Sequence, residues 1–164
     1  MRLFGIAAGL LIAGVLPVAA APSANVDFSG TVAATCSITA STNGTMKLNP
    51  STGTTLGSEE AGGTRGSVTV LSIGASTLTI GAPSLTSTPP VGYVTGTQTI
   101  EVSYSGAPSS GLSGVSHAYT SSQTTQPLGT IGASDLYINN RIVNPSGFPP
   151  DTYTTRTVVT CAQP

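Results

Sequence analysis

From Val26 to Thr39 the chain alternates strictly. Val26, Phe28, Gly30, Val32, Ala34, Cys36 and Ile38 fall on one side; Asp27, Ser29, Thr31, Ala33, Thr35, Ser37 and Thr39 fall on the other. Successive strand residues point to opposite faces, so this stretch, when extended, has one apolar face and one of hydroxyls and a carboxylate. A helix would scatter the same apolar groups around its circumference. The stretch is long for one strand, and a break near Ala33–Thr35 would let the chain pass from one sheet to another.

The remainder supports the same class. Only 7% of the residues are charged, and Ser, Thr, Val and Ile abound between 20 Gly and 12 Pro. Disorder is favoured by high net charge and few β-branched residues, neither of which holds here. Past residue 20 no window places apolar residues at helical spacing among good helix formers. The predicted strands are Val26–Thr39, Met46–Leu48, Gly66–Ile73, Ser76–Ile80, Val91–Val94, Thr97–Tyr104, Leu136–Val143 and Thr152–Cys161, separated by Gly, Pro and Asn turn signals. Ile100, Val102 and Tyr104 share a face, as do Tyr153, Val159 and Cys161, with Arg156 opposite the latter. Residues 105–116, rich in Ser, Gly and Pro, read as a loop. About seven or eight short strands argue for an antiparallel β-sandwich.

The first residues read as an address. Met1 and Arg2 precede an apolar run from Leu3 to Leu16, and Val18-Ala19-Ala20 offers small residues for a peptidase, so residues 1–20 are expected to be a signal peptide and 21–164 a single domain. A membrane anchor needs about 20 apolar residues, longer than this run. Export would carry the chain to an oxidising compartment, where the two cysteines, Cys36 and Cys161, are expected to form one internal disulfide, the rival being free or intermolecular thiols.

Chemistry is sparse. With five basic residues and a net charge of −1, no basic field exists for nucleic acid. Two Cys and one His cannot build a usual four-ligand zinc cage. Gly62-Gly63-Thr64-Arg65-Gly66 lacks the Lys-Ser/Thr ending of a phosphate loop, and no acidic run has calcium-loop spacing. Asn43-Gly44-Thr45 matches a glycosylation acceptor. His117 reads as an ordinary surface residue on a loop edge, and Glu59-Glu60 as a solvated loop; a secreted hydrolase would have to draw on His117 or Glu101. No catalytic, metal-binding or cofactor-binding residue is assigned, and no cofactor or enzymatic activity is expected.

The segment Val26-Asp27-Phe28-Ser29-Gly30-Thr31-Val32-Ala33-Ala34-Thr35-Cys36-Ser37-Ile38 resembles the start of mature bacterial chaperone–usher pilins and of the related spore coat protein U domain. Gly147, Asp151, Tyr153, Thr155, Thr157 and Val159 are similar to their closing strand. The resemblance implies an incomplete immunoglobulin-like sandwich whose hydrophobic groove is filled by a neighbour's N-terminal extension, a form of β-strand addition. Val26, Phe28, Gly30 and Val32 would then be the inserted face. It also implies a fimbrial subunit of a pilus or surface coat, passing through the periplasm to the cell surface, with copies of itself or related subunits, a periplasmic chaperone and an outer-membrane usher as partners. Two features depart from that pattern: the second Cys stands at 161 rather than in an early strand, and only about five residues separate the expected cleavage site from Val26. The alternative is a self-complete secreted sandwich acting as a surface binding or matrix module.

Overall fold

In a computed structural model the described residues are 26–164; the expected signal peptide over residues 1–20 lies outside them. The chain divides after Thr31, and Val32–Pro164 forms one compact unit. That unit is all-β and antiparallel, a sandwich as its alternation predicts. Among the described residues there is no α-helix, and no helix is long and apolar enough to cross a membrane.

The strands are β1 (Thr35–Thr42), β2 (Lys47–Leu48), β3 (Thr55–Gly57), β4 (Gly66–Ile73), β5 (Ser76–Ile80), β6 (Ser84–Leu85), β7 (Thr99–Gly106), β8 (Ser116–Thr120), β9 (Thr124–Leu128), β10 (Ile131–Val143), β11 (Thr155–Arg156) and β12 (Val159–Ala162). Seven of them form one sheet in the order β1-β4-β10-β3-β2, with β7 between β10 and β8. The second layer is the sheet β12-β5-β9, continued by the pair β11-β6. β10 organises the larger sheet. Its first half pairs with β4, its last three residues pair with β3, and its other edge pairs with β7 from Leu136 to Val143.

Alternation decides what fills the space between the layers. Val70 from β4, Val102 and Tyr104 from β7 and Leu136 from β10 meet Leu78 and Ile80 from β5 and Leu128 from β9 in one buried cluster. Each aliphatic side chain buried there contributes about 1.5–3 kcal/mol. The Tyr104 hydroxyl is satisfied by Thr124 Oγ1 at 2.9 Å, as a buried phenol requires. Buried Ser72 and Ser76 partner each other at 2.6 Å.

Several expected boundaries change. The first strand starts at Thr35, not Val26. Its partner β4 ends at Ile73, paired with Thr35, because Gly74 turns the chain with φ +86°, a conformation that favours glycine. Residue 34 therefore has no β4 residue left to pair with, and residues 26–34 lie in no strand. Val91–Val94 is not a strand either: Gly92 takes φ +87° and Val91 is fully exposed. Residues 107–115 form no strand, yet Leu112 and Val115 are buried in the core. This loop folds back over the sandwich with Gly106 N–H donating to the Val115 carbonyl at 2.7 Å. A Cβ on Gly106 would run into the Leu112 carbonyl, so only glycine admits that approach. His117 lies on strand β8 rather than at a loop edge, exposed, its ring stacked on Tyr104.

The two cysteines are bonded to each other, with Cα atoms 5.5 Å apart and 125 residues between them. That separation is ordinary for a disulfide. The bond ties β1 in one layer to β12 in the other.

Candidate functional site

β1 and the C-terminal strands each leave one edge without a partner. Among the described residues β1 pairs only with β4, β12 only with β5, and β11 only with β6. Between those two edges lies a groove of about 790 Å³. One wall runs from Ile38 on β1 to Met46; the other runs from Tyr153 through Thr155 and Thr157 to Val159. The floor carries Val68 of β4 and Ile138 of β10, both packed against the core, together with the polar side chains of Asn140 and Ser58.

The predicted strand Thr152–Cys161 is broken into β11 and β12 with Thr157 and Val158 in neither, yet its period-2 pattern persists and builds the second wall. Tyr153, Thr155, Thr157, Val159 and Cys161 are half-buried, while Thr154, Arg156, Val158 and Thr160 are exposed. Asn140, inward on β10, holds that wall in place: its Nδ2 donates to Thr155 Oγ1 at 3.0 Å, and Thr157 Oγ1 donates to its Oδ1 at 2.9 Å. On the far side the wall is tied to the smaller layer, since Gly81 N–H donates to the Val158 carbonyl and Thr86 N–H to the Thr154 carbonyl. Backbone groups of successive strand residues point to alternate sides, so those of Thr155, Thr157 and Val159 face the groove's open edge. Burial raises the Tyr153 phenol above its usual value, with Tyr93 and Asp151 adding to the effect.

The disulfide closes one end of this groove. Cys36 and Cys161 stand two residues beyond Ile38 and Val159, the last lining residues on either wall. The other end, between Met46 and Tyr153, has no covalent staple; there a weak side-chain contact, Thr155 Oγ1 donating to Met46 Sδ at 3.6 Å, crosses between the walls.

The residues expected to form an inserted face are exposed. Val26 is 74% exposed, Phe28 93% and Val32 78%, and Gly30 has nothing within 4 Å of the position a Cβ would take. In such a state the alternating apolar face touches water, which costs the hydrophobic free energy that burial would recover.

A second, polar cluster lies on the outer face of the larger sheet. Arg141 of β10 donates to Glu101 of β7 at 2.7 Å and stacks over the Tyr119 ring of β8. Asn139 donates to Glu59, which is exposed in a turn, as its reading as a solvated loop expected. Two other acids lie apart from this cluster: Asp135 accepts from Thr69, and Asp151 from the Thr152 N–H. Nothing in the sequence marked Tyr119, because its neighbours come from three other elements. Burial, and then a hydrogen bond with Glu59, pushes its phenol up to about 12. A raised phenol keeps its proton in the folded state after the unfolded chain has lost it. The stability it lends is therefore present below pH 10 and falls as pH rises from 10 toward 12. Phenolate absorbance is expected to show a late-titrating tyrosine that Tyr119→Phe removes; an unchanged curve in that variant would contradict the assignment.

Among the described residues no group of three His, Cys, Asp or Glu is placed to hold a metal ion. No protein-family model, curated protein or solved structure matches this chain.

Proposed function

We propose that this chain is a non-enzymatic structural subunit of a secreted pilus or surface coat, assembled by strand addition. The segment Val26–Val32 of one copy occupies the groove between β1 and β12 of the next. One observation carries the reading: the same chain has a groove with Val68 and Ile138 on its floor between two strand edges unpaired among the described residues, and an exposed alternating segment with Phe28 in its apolar face. An open edge beside accessible apolar surface invites pairing, and an added strand supplies backbone hydrogen bonds along both walls together with side chains for the floor. The lengths match, since Val26–Val32 and the wall Tyr153–Val159 are each seven residues. Export through a signal peptide, with a periplasmic chaperone and outer-membrane usher covering the groove before assembly, belongs to the same reading.

The test is electrophoretic. Purified exported chain, run unheated in denaturing gel, is expected to form a ladder of oligomers that collapses to monomer on boiling, because strand-added contacts dissociate slowly. A single monomer band under both conditions would reject assembly and favour the self-complete sandwich.

A further inference from the structure

Resting on the strand-addition reading, we infer that Asp27 of one copy pairs with Arg156 of the next, and that this pair fixes the register and direction of the inserted strand. Among the described residues Arg156 is the one charged residue lining the groove, and none of their carboxylates partners it. Asp27 is the one charged residue between Arg2 and Lys47. Each stands on the solvent side of its alternation. Arg156 is exposed between half-buried Thr155 and Thr157, and Asp27 lies between the inserted residues Val26 and Phe28. Facing residues on neighbouring strands share a side, so placing Asp27 opposite Arg156 is compatible with both apolar faces turning inward.

The direction follows from the disulfide. An inserted segment remains joined to its own β1 through residues 33–34, and that connection must leave by the unstapled end, near Tyr153. Val26 therefore lies toward the Cys36–Cys161 end. The segment runs antiparallel to β11 and β12, which proceed from Tyr153 toward Cys161. With Asp27 opposite Arg156, Phe28 faces Thr155 and Gly30 faces Tyr153, where the absence of a side chain leaves room for the ring. A slip by one residue would turn Phe28 to solvent; a slip by two would keep it inward, and the charge pair discriminates against that error.

The occupant is a second copy rather than the chain's own segment. Self-insertion would require a tight reversal between Thr31 and Thr35, through Val32-Ala33-Ala34. That sequence has no Gly, Asn, Asp or Pro to adopt hairpin-turn angles.

The experiment reverses the charges in the full exported chain and measures the concentration at half-assembly in low and high salt. Asp27→Arg alone and Arg156→Asp alone are each expected to weaken assembly about tenfold at low salt, with the defect shrinking at high salt. The two single variants mixed together are expected to assemble about as well as the unaltered protein. In that mixture every junction between alternating copies again carries opposite charges. The double reversal in one chain is likewise expected to recover. Normal assembly of both single variants alone would overturn the pair while leaving strand addition intact. Recovery in the double variant without recovery in the mixture would overturn the second copy as occupant. Failure of the unaltered chain to assemble would overturn strand addition itself.

Discussion

Phe28→Asp is expected to leave a folded, soluble monomer where the unaltered chain assembles. Phe28 contributes nothing to its own copy's core, being 93% exposed, so the unfolding midpoint should barely move. In a neighbour's groove the ring, opposite Thr155, would lie against the lining side chains Met46 and Ile138, a burial worth about 1.5–3 kcal/mol. A carboxylate at that position forfeits this gain and must also be desolvated on entering the groove, which adds further kilocalories. The combined loss of about 4 kcal/mol corresponds to roughly a thousandfold in the assembly constant. Sedimentation velocity on both proteins, with thermal melts as the folding control, measures it. Equal assembly of the two would separate Phe28 from the interface.

Replacing both cysteines should act on folding instead. The bond closes a loop of 125 residues, and chain entropy assigns such a loop about 5 kcal/mol as an upper value, with about 2–5 kcal/mol the usual cost of losing a native bond. Cys36→Ser with Cys161→Ser is therefore expected to lower stability by about 4 kcal/mol, or Tm by roughly 10–15 °C for a domain of this size. The bond also holds the end of β1 against β12 and so shapes the closed end of the groove. The double variant should accordingly assemble poorly even at temperatures where it remains folded. A denaturation midpoint unchanged by the substitutions would show that the staple contributes nothing to the fold.

The residues disclosed the sandwich where local pattern and tertiary role coincide. Gly66–Ile73 and Ser76–Ile80 are strands with the bounds their apolar runs suggested, since both feed the core directly. The inward face of the last strand was legible for the same reason. Ser116–Thr120 and Thr124–Leu128 were not: both are edge strands with few aliphatic residues, and they are extended because β7 and β5 offer partners. Leu112 and Val115 hid in a Gly- and Ser-rich stretch that reads as solvent-facing, yet it folds back over the core. Val26–Ala34 shows the converse. Alternation records which face a segment can bury but not what it buries it against, and β4 ends before it could serve as a partner. The inserted face could thus be read from spacing alone. The groove could not, because its two walls lie more than one hundred residues apart in sequence.

The most direct measurement places a photo-reactive benzophenone side chain at position 28 of the full chain, assembled with isotopically heavy copies. Mass spectrometry then identifies which copy, and which residue, position 28 touches. The expected products join a light position-28 peptide to heavy peptides containing Met46, Ile138 or Thr155. Links confined to a single isotope, or landing only on the outer face of the larger sheet, would contradict insertion of one copy's segment into the groove of another.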